Sequence, residues 1–271
     1  MKHSMTVLLA LLLTLGLVLA LSGCGQTAQP EAGEADLLGR IQARGSIVVA
    51  TEGDWSPWTY HDDADRLTGF DVELAQLIAE GLGVSVDFAE TDWDAILAGV
   101  EGGRFDIACN GVDWTEARAE KFRFSTPYLY MREVLVVRGD NEDIHSIEDL
   151  AGRITSNSPN STYAEMAEAA GAELLYVNTL NETIMMLEQG RADATINAKA
   201  SIEDYLREHP DANIKIVYET EGTHVCIPVR AADETESLMT AIDGVLQTLR
   251  DNGTLRELSL KYFGADLTRE A

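Results

Sequence analysis

The stretch from Asp106 to Arg118 gathers groups able to hold a small anion. Arg118 carries a planar fork of N–H donors that matches a carboxylate. Asn110-Gly111 is a turn dipeptide, because glycine enters positive φ at no steric cost. Thr115 suits the N-cap of a short helix that contains Arg118, and a helix start presents backbone N–H groups to an anion. Asp113 adds a carboxylate inside the same loop. The same letters also fit a solvated surface arginine and an acid favoured by the helix dipole. The surrounding elements have to decide.

Asp106 to Cys109 reads as a strand that delivers this loop. It follows a helix over Trp93–Val100 and a Gly102-Gly103 stop. Upstream, Asp36–Arg44 has the spacing of a short helix, with Leu37, Leu38 and Ile41 on one face. Ser46–Thr51 is a buried strand. Glu52 to Trp58 then forms a loop at that strand's carboxyl end, where open α/β sheets bind ligands. Trp55 and Trp58 either wall a cleft or close the core. A helix follows in which Asp71 is the expected cap, with Gly81 and Gly83 at its end, and then a strand over Val84–Phe88. Strands alternating with helices predict a parallel sheet with right-handed crossovers.

Glu133–Arg138 is a further strand with no glycine-stopped helix leading into it. The alternation then restarts, with strands at Arg153–Thr155, Glu173–Val177, Ala194–Asn197 and Ile214–Val217. Helices fall at Ser161–Ala170, Asn181–Gln189 and Ala200–Glu208. A strand over Val225–Val229 returns the chain to two amphipathic helices. The first carries Leu238, Ile242, Val245 and Leu249, and the second begins after Asn252-Gly253. One internal echo links the halves: Gly103-Arg104-Phe105-Asp106 leads to Asn110, and Gly190-Arg191-Ala192-Asp193 leads to Asn197. In each, the asparagine comes four residues after the aspartate. Two similar α/β lobes, each ending a strand at a shared cleft, account for this.

The formal charge of −26 over 271 residues disfavours nucleic acid and anionic lipid as partners. Residues 1–23 have the pattern of a signal peptide: a weakly basic start, an apolar run over Val7–Leu21, and small residues after it. Leu21-Ser22-Gly23-Cys24 resembles a bacterial lipobox, which makes Cys24 the expected site of lipidation and the anchor to the cell membrane. Residues 24–35 read as a lipidated, flexible tether. Cys109 and Cys226 form neither a metal motif nor a CxxC pair. Either they make one disulfide or they are two buried small apolar residues. The five histidines, at 3, 61, 145, 209 and 224, are scattered. No sequence pattern calls for a metal or a cofactor.

Short matches then run through nearly the whole mature chain in order: Gly69-Phe70-Asp71-Val72-Glu73-Leu74-Ala75, Thr115-Glu116-Ala117-Arg118, Phe124-Ser125-Thr126-Pro127-Tyr128, Ser146-Ile147-Glu148-Asp149-Leu150-Ala151-Gly152 and Lys261-Tyr262-Phe263-Gly264. Together with the echo motifs and Asp251-Asn252-Gly253-Thr254-Leu255, they resemble the family 3 extracellular solute-binding proteins, and most closely their cystine- and polar-amino-acid branch. The resemblance implies a type II periplasmic-binding-protein-like α/β fold of two lobes joined by two hinge strands, with a ligand cleft between them. The hinge strands would lie near Glu133–Arg138 and Val225–Val229. Lobe 1 would comprise residues 36–137 and 228–271, and lobe 2 residues 138–227. The implied role is the receptor of an ABC importer, a monomer that captures an amino acid and delivers it to a permease and its ATPase.

The resemblance also implies the site. Arg118 corresponds to the arginine that grips the ligand α-carboxylate, and Ser158 to a hydroxyl from the second lobe that also meets it. Gly111 corresponds to a position whose backbone faces the ligand, with Asn110 beside it. Trp55 and Trp93 correspond to aromatic walls, tolerant of apolar or sulfur-containing stems, and Glu52 to an acidic or polar position on the first loop. None of these roles is catalytic. Two positions depart from the family. Where the family usually has an aspartate for the ligand α-ammonium, this chain has Ala198, preceded by Asn197. Where the family commonly has Ser or Thr, this chain has Asp113. Either Asp113 takes over the ammonium from the first lobe with help from Asn197, or the ligand lacks an α-amino group or carries its cation elsewhere. A cyclohexadienyl or arogenate dehydratase-like enzyme shares the fold and would need a general acid such as Glu52 or Asp113. A sensor that binds without transport is the third reading.

Overall fold

The computed structural model describes residues 36–270. The signal peptide, the tether and the lipid-bearing Cys24 expected from the sequence lie outside these residues. Helix α1 (Leu37–Arg44) leads into β1 (Ser46–Thr51). A small antiparallel sheet follows, made of β2 (Asp54–Trp55), β3 (Thr59–His61) and β4 (Leu67–Thr68). Next come α2 (Phe70–Leu82), β5 (Ser85–Glu90), α3 (Trp93–Glu101), β6 (Ile107–Ala108) and the single-turn α4 (Glu116–Ala119). Strands β5, β1 and β6 form one parallel sheet in that order. The sheet is the floor of the first lobe.

Strands β7 (Phe122–Phe124) and β8 (Leu129–Met131) lead to β9 (Glu133–Arg138). The second lobe then builds from β10 (Ile154–Asn157), α5 (Thr162–Ala169), β11 (Glu173–Tyr176), α6 (Leu180–Glu188), β12 (Ala194–Ala198), α7 (Lys199–Glu208) and β13 (Ile214–Glu219). Its sheet runs β11-β10-β12-β9-β13, with β9 antiparallel to both of its neighbours. The chain returns through β14 (Thr223–Val225) and β15 (Pro228–Arg230) and ends in α8 (Glu236–Asp251) and α9 (Thr254–Phe263). Leu238, Ile242, Leu246, Leu255 and Leu258 of the two last helices are buried against Ile41, Leu74 and Ile78, so the C-terminal segment completes the first lobe. At roughly 1.5–3 kcal/mol per buried large aliphatic side chain, that face is a principal support of the lobe.

The pairing corrects the expected hinge. Glu133–Arg138 lies inside the five-stranded sheet and pairs along its length with β12 and β13. The crossing lies just before it: β8 pairs antiparallel with β14, and β7 with β15. Val225–Val229 is not one strand but two, parted at Cys226-Ile227. The expected boundary at 137/138 therefore falls inside β9, and that at 227/228, between β14 and β15, would part β14 from its partner β8. Asp71 is not the cap of α2 either. Gly69 takes that place, and Asp71 sits in the first turn, fully buried.

The internal echo is a structural repeat. Asp106 N–H donates to Val48 O (3.0 Å), and Asp106 Oδ2 accepts from Val48 N (2.8 Å). Asp193 makes the same reciprocal pair with Ile154, at 2.7 and 2.9 Å. The preceding turns match as well, Arg104 donating to Gly99 O and Arg191 to Met186 O. Each aspartate thereby fixes the start of a strand whose far end carries Asn110 or Asn197.

Candidate ligand-binding site

The two echo strands end at one cavity, enclosing about 490 Å³ including its open mouth. Its walls come from both lobes. Eight of the nine residues singled out in the sequence line it: Glu52, Trp55, Trp93, Asn110, Gly111, Asp113, Ser158 and Asn197. Arg118 does not. Its buried guanidinium lies behind the wall, 5.5 Å from the Trp93 ring, with Nη1 donating to Asp113 O (3.1 Å) and Nη2 to Asn160 O (3.3 Å).

The first-lobe wall is organised by Asn110, two residues past the end of β6. Its Oδ1 accepts from Glu52 N (2.8 Å), Thr51 Oγ1 (3.2 Å) and Thr59 Oγ1 (3.3 Å), while its Nδ2 donates to Glu52 Oε2 (2.6 Å). The asparagine is thus consumed in holding Glu52. Burial raises the Glu52 carboxyl to about 7 against the Asn110 hydrogen bond, and Asp54 and Asp92 push it the same way. Gly111 has φ +57°, and a Cβ there would lie 2.7 Å from Cζ3 of Trp55. Glycine is needed so that the indole can lie on the backbone. The Gly111 N–H, expected to face the ligand, instead donates to Asp71 Oδ2 (2.5 Å). Trp55 stacks on Trp58 at 5.2 Å and 12°. The two tryptophans divide the expected roles, since Trp55 lines the cavity while Trp58 is wholly buried in the core.

Asp113 is 3 % exposed. Its backbone is fixed by an isolated bridge to Val225, flanked by Trp114 N→His224 O and Cys226 N→Val112 O at 2.9 Å each. Thr115, not Asp113, caps α4, its side chain accepting from Arg118 N. Asp113 Oδ2 accepts from Thr162 Oγ1 of the second lobe (2.5 Å), and Oδ1 is buried without a partner. Burial raises this carboxyl to about 7; the Thr162 hydrogen bond and Arg118 oppose the shift, and Glu133 and Glu165 add to it.

The second-lobe wall uses the starts of two helices. Ser161 caps α5, accepting from Ala164 N (3.1 Å) and donating to Ser158 O (2.7 Å). Thr179 and Glu182 form a capping box on α6. Ser161, Thr162, Tyr163, Asn178, Thr179 and Leu180 all line the cavity, as does Asp54 from the first lobe. None of these seven was singled out from the sequence. The Thr179/Glu182 capping-box spacing was a legible sign of one helix start. Asn197 Oδ1 accepts from Ala198 N (2.9 Å) and from Trp55 Nε1 across the cleft (3.4 Å). Four hydrogen bonds therefore span the lobes: Thr162–Asp113, Trp55–Asn197, Arg118–Asn160 and Ser56–Asp204. Cys109 and Cys226 are free and buried, so of their two readings the small apolar one stands.

Two α/β lobes in contact over a polar, aromatic-walled cavity, joined by paired crossing strands, define a ligand-binding protein that closes around a small solute. The model of the bacterial extracellular solute-binding proteins, family 3, matches residues 47–265, and the chain belongs to that family. It is 36 % identical to the L-cystine-binding protein TcyA of Bacillus subtilis, over 97 % of this chain and 98 % of the relative. Among solved structures, an ancestral arginine-binding protein bound to arginine is 33 % identical, with a TM-score of 0.76 over 82 % of this chain and 99 % of that one. The L-cystine solute receptor of Neisseria gonorrhoeae, unliganded and open, is 38 % identical, with a TM-score of only 0.56 over 85 % and 98 %. The better superposition is on the less identical but liganded relative. This agrees with the four hydrogen bonds that hold the lobes together here. No helix among the described residues is long and apolar enough to cross a membrane.

Proposed function

We propose that this chain is the receptor of an ABC importer, capturing a polar amino acid by closure of its two lobes and presenting it to a permease and ATPase. The observation that carries the reading is the cavity itself, walled by both lobes of one chain and bridged by hydrogen bonds that exist only when the lobes meet. One chain supplies every wall of the cavity, so a single copy suffices to bind. In this reading the ligand carboxylate replaces Asn160 O as the partner of Arg118 Nη2, within reach of Ser158 and the first turn of α5. The guanidinium is already desolvated, which favours a charge-matched partner. Trp55 and Trp93 flank the ligand's stem, and Glu52, held by Asn110, faces its far end.

Glu52, Asp54 and Asp113 line the cavity, and no Lys, Arg or His does. That balance disfavours glutamate and aspartate as ligands. L-Cystine, L-arginine and L-glutamine are the first candidates, the relatives being named for cystine and arginine binding. Thermal-shift screening of the twenty amino acids, L-cystine and prephenate, followed by calorimetry, tests the reading. A melting temperature raised by an amino acid is expected from binding linkage. A dehydratase is the second reading, since the raised Glu52 carboxyl is the kind of group a general acid requires. Turnover of prephenate with no shift by any amino acid would overturn the receptor reading in its favour.

The Leu21-Ser22-Gly23-Cys24 ending supports anchoring by a lipid on Cys24, on the outer side of the cell membrane. Metabolic labelling with a palmitate probe should mark the wild-type chain and leave Cys24→Ala unmarked.

A further inference from the structure

We propose that Asp113 is this chain's anchor for the ligand α-ammonium, a carboxylate carried on the first lobe in place of one on the second, with Thr162 closing onto it. The inference rests on the receptor reading above and assigns one contact within it.

Three observations converge on Asp113. First, its carboxylate is buried in the cavity wall with one oxygen unpartnered. A buried acceptor without a donor is costly, and a buried anion without a cation more so. Arg118 holds the carboxyl down through space but gives it no hydrogen bond, because its Nη1 binds the backbone carbonyl of Asp113 and its Nη2 turns to Asn160 O. Glu133, Glu165, Tyr163 and Cys226 are the other titratable neighbours, and none brings a positive charge. An ammonium group in the cavity satisfies Oδ1 in both hydrogen bonding and charge.

Second, the opposite wall offers no such charge. Ala198 is a fully buried apolar residue packed with the first-lobe core, and Asn197 Oδ1 is occupied by Ala198 N and Trp55 Nε1. Among the cavity-lining residues the second lobe contributes hydroxyls, amides and Leu180, but no carboxylate.

Third, Asp113 is rigidly placed. The bridge to Val225 and its flanking hydrogen bonds fix the backbone on both sides. Only Thr162 reaches the carboxylate from the second lobe, at the first residue of α5. One carboxylate thereby joins ligand charge to lobe contact.

Calorimetry on three pairs tests this: L-cystine with 3,3′-dithiodipropionate, L-arginine with 5-guanidinopentanoate, and L-glutamine with glutaramate. Each second member keeps the carboxylate and stem and lacks the amino groups. The wild type should bind one amino acid more tightly than its partner by roughly 10- to 100-fold. In Asp113→Asn that ratio should collapse toward unity through loss of amino-acid affinity, with the deamino compound little changed. Asp113→Ser, the residue type the family commonly carries there, should behave the same and serves where Asn impairs folding. An unchanged ratio, or an equal loss for both members of the pair, overturns the inference while leaving the receptor reading intact. A wild type that binds none of the amino acids overturns both. Melting of the unliganded variants adds a readout that a merely structural carboxylate would move: Asp113→Asn should melt at or above the wild type, and a marked fall with the ratio intact marks a structural role instead.

Discussion

The Thr162 hydroxyl donates to Asp113 Oδ2 at 2.5 Å across the cleft, so a side chain from each lobe meets at the cavity wall. A hydrogen bond to a charged acceptor contributes about 1.5–3 kcal/mol. Thr162→Val keeps shape and removes the donor. We expect it to weaken ligand binding by roughly 10-fold or more while leaving the unliganded melting temperature nearly unchanged, because an open form can hydrate Asp113 instead. Calorimetry and small-angle scattering with and without ligand check this; full affinity with normal closure would refute it.

The buried carboxyls predict an unusual pH dependence. Glu52, Asp71 and Asp113 are each raised to about 7 by burial, against about 4 in the unfolded chain. A raised folded value means that the folded state holds protons more tightly. The resulting stability is complete below about pH 4 and is lost as pH rises toward 7. Carboxylates held low by surface partners, such as Asp62, Asp140 and Glu234, work in the opposite sense, but only below about pH 4. Between pH 5.5 and 8, on the order of the physiological window, the unliganded melting temperature should therefore fall as pH rises, by about 2–4 °C per kcal/mol for a chain of this size. A cationic ligand reverses the preference at Asp113. Binding at pH near 7 should release protons, and calorimetry in buffers of different ionisation enthalpy will register them. A flat melting profile across that window would contradict the burial of these groups.

Gly111 gives a sharp structural test. Its positive φ and the 2.7 Å approach to Trp55 make Gly111→Ala strained in two ways. Backbone strain and overpacking each cost on the order of 1–3 kcal/mol. The variant should melt several degrees lower, and ligand affinity should drop as Trp55 is pushed from the wall. Retained stability would mean that the indole moves without cost.

The sequence shows some of this readily and some not at all, for physical reasons. Elements with strong periodicity, such as α8, and the buried strands β1 and β9 are legible because core burial imposes their pattern. The echo of Asp106–Asn110 in Asp193–Asn197 is legible because the same reciprocal Asp–backbone pair is built twice. The two-residue strands β2 and β4 carry too few letters to show a period. The exact crossing point is not legible, because β9 is apolar throughout whether it crosses between lobes or sits in a sheet; only pairing distinguishes the two. The Gly111 N–H could be assigned to a ligand because nothing in the letters brings Asp71, forty residues earlier, beneath it. Arg118 was legible as a buried cation partner, but its set-back position behind Trp93 was not. The second-lobe wall is hidden in the sequence, since hydroxyl residues at helix starts look like ordinary caps until two such starts converge.

Of the four links between the lobes, that of Ser56 and Asp204 lies outside the residues that line the cavity. Ser56 Oγ donates to Asp204 Oδ2 at 2.6 Å, and Asp204, itself buried, is also held by Arg207. Neither Ser56 nor Asp204 touches the cavity, so this bond acts on closure and not on ligand choice. Ser56→Ala should weaken every ligand by one common factor, roughly 3- to 10-fold for a hydrogen bond of about 1 kcal/mol, mostly through faster dissociation. The ratio of affinities between any amino acid and its deamino counterpart should not change. Stopped-flow dissociation and the paired calorimetry together check this. A changed ratio in Ser56→Ala would mean that closure geometry, rather than the charge on Asp113, sets the preference for the ammonium group.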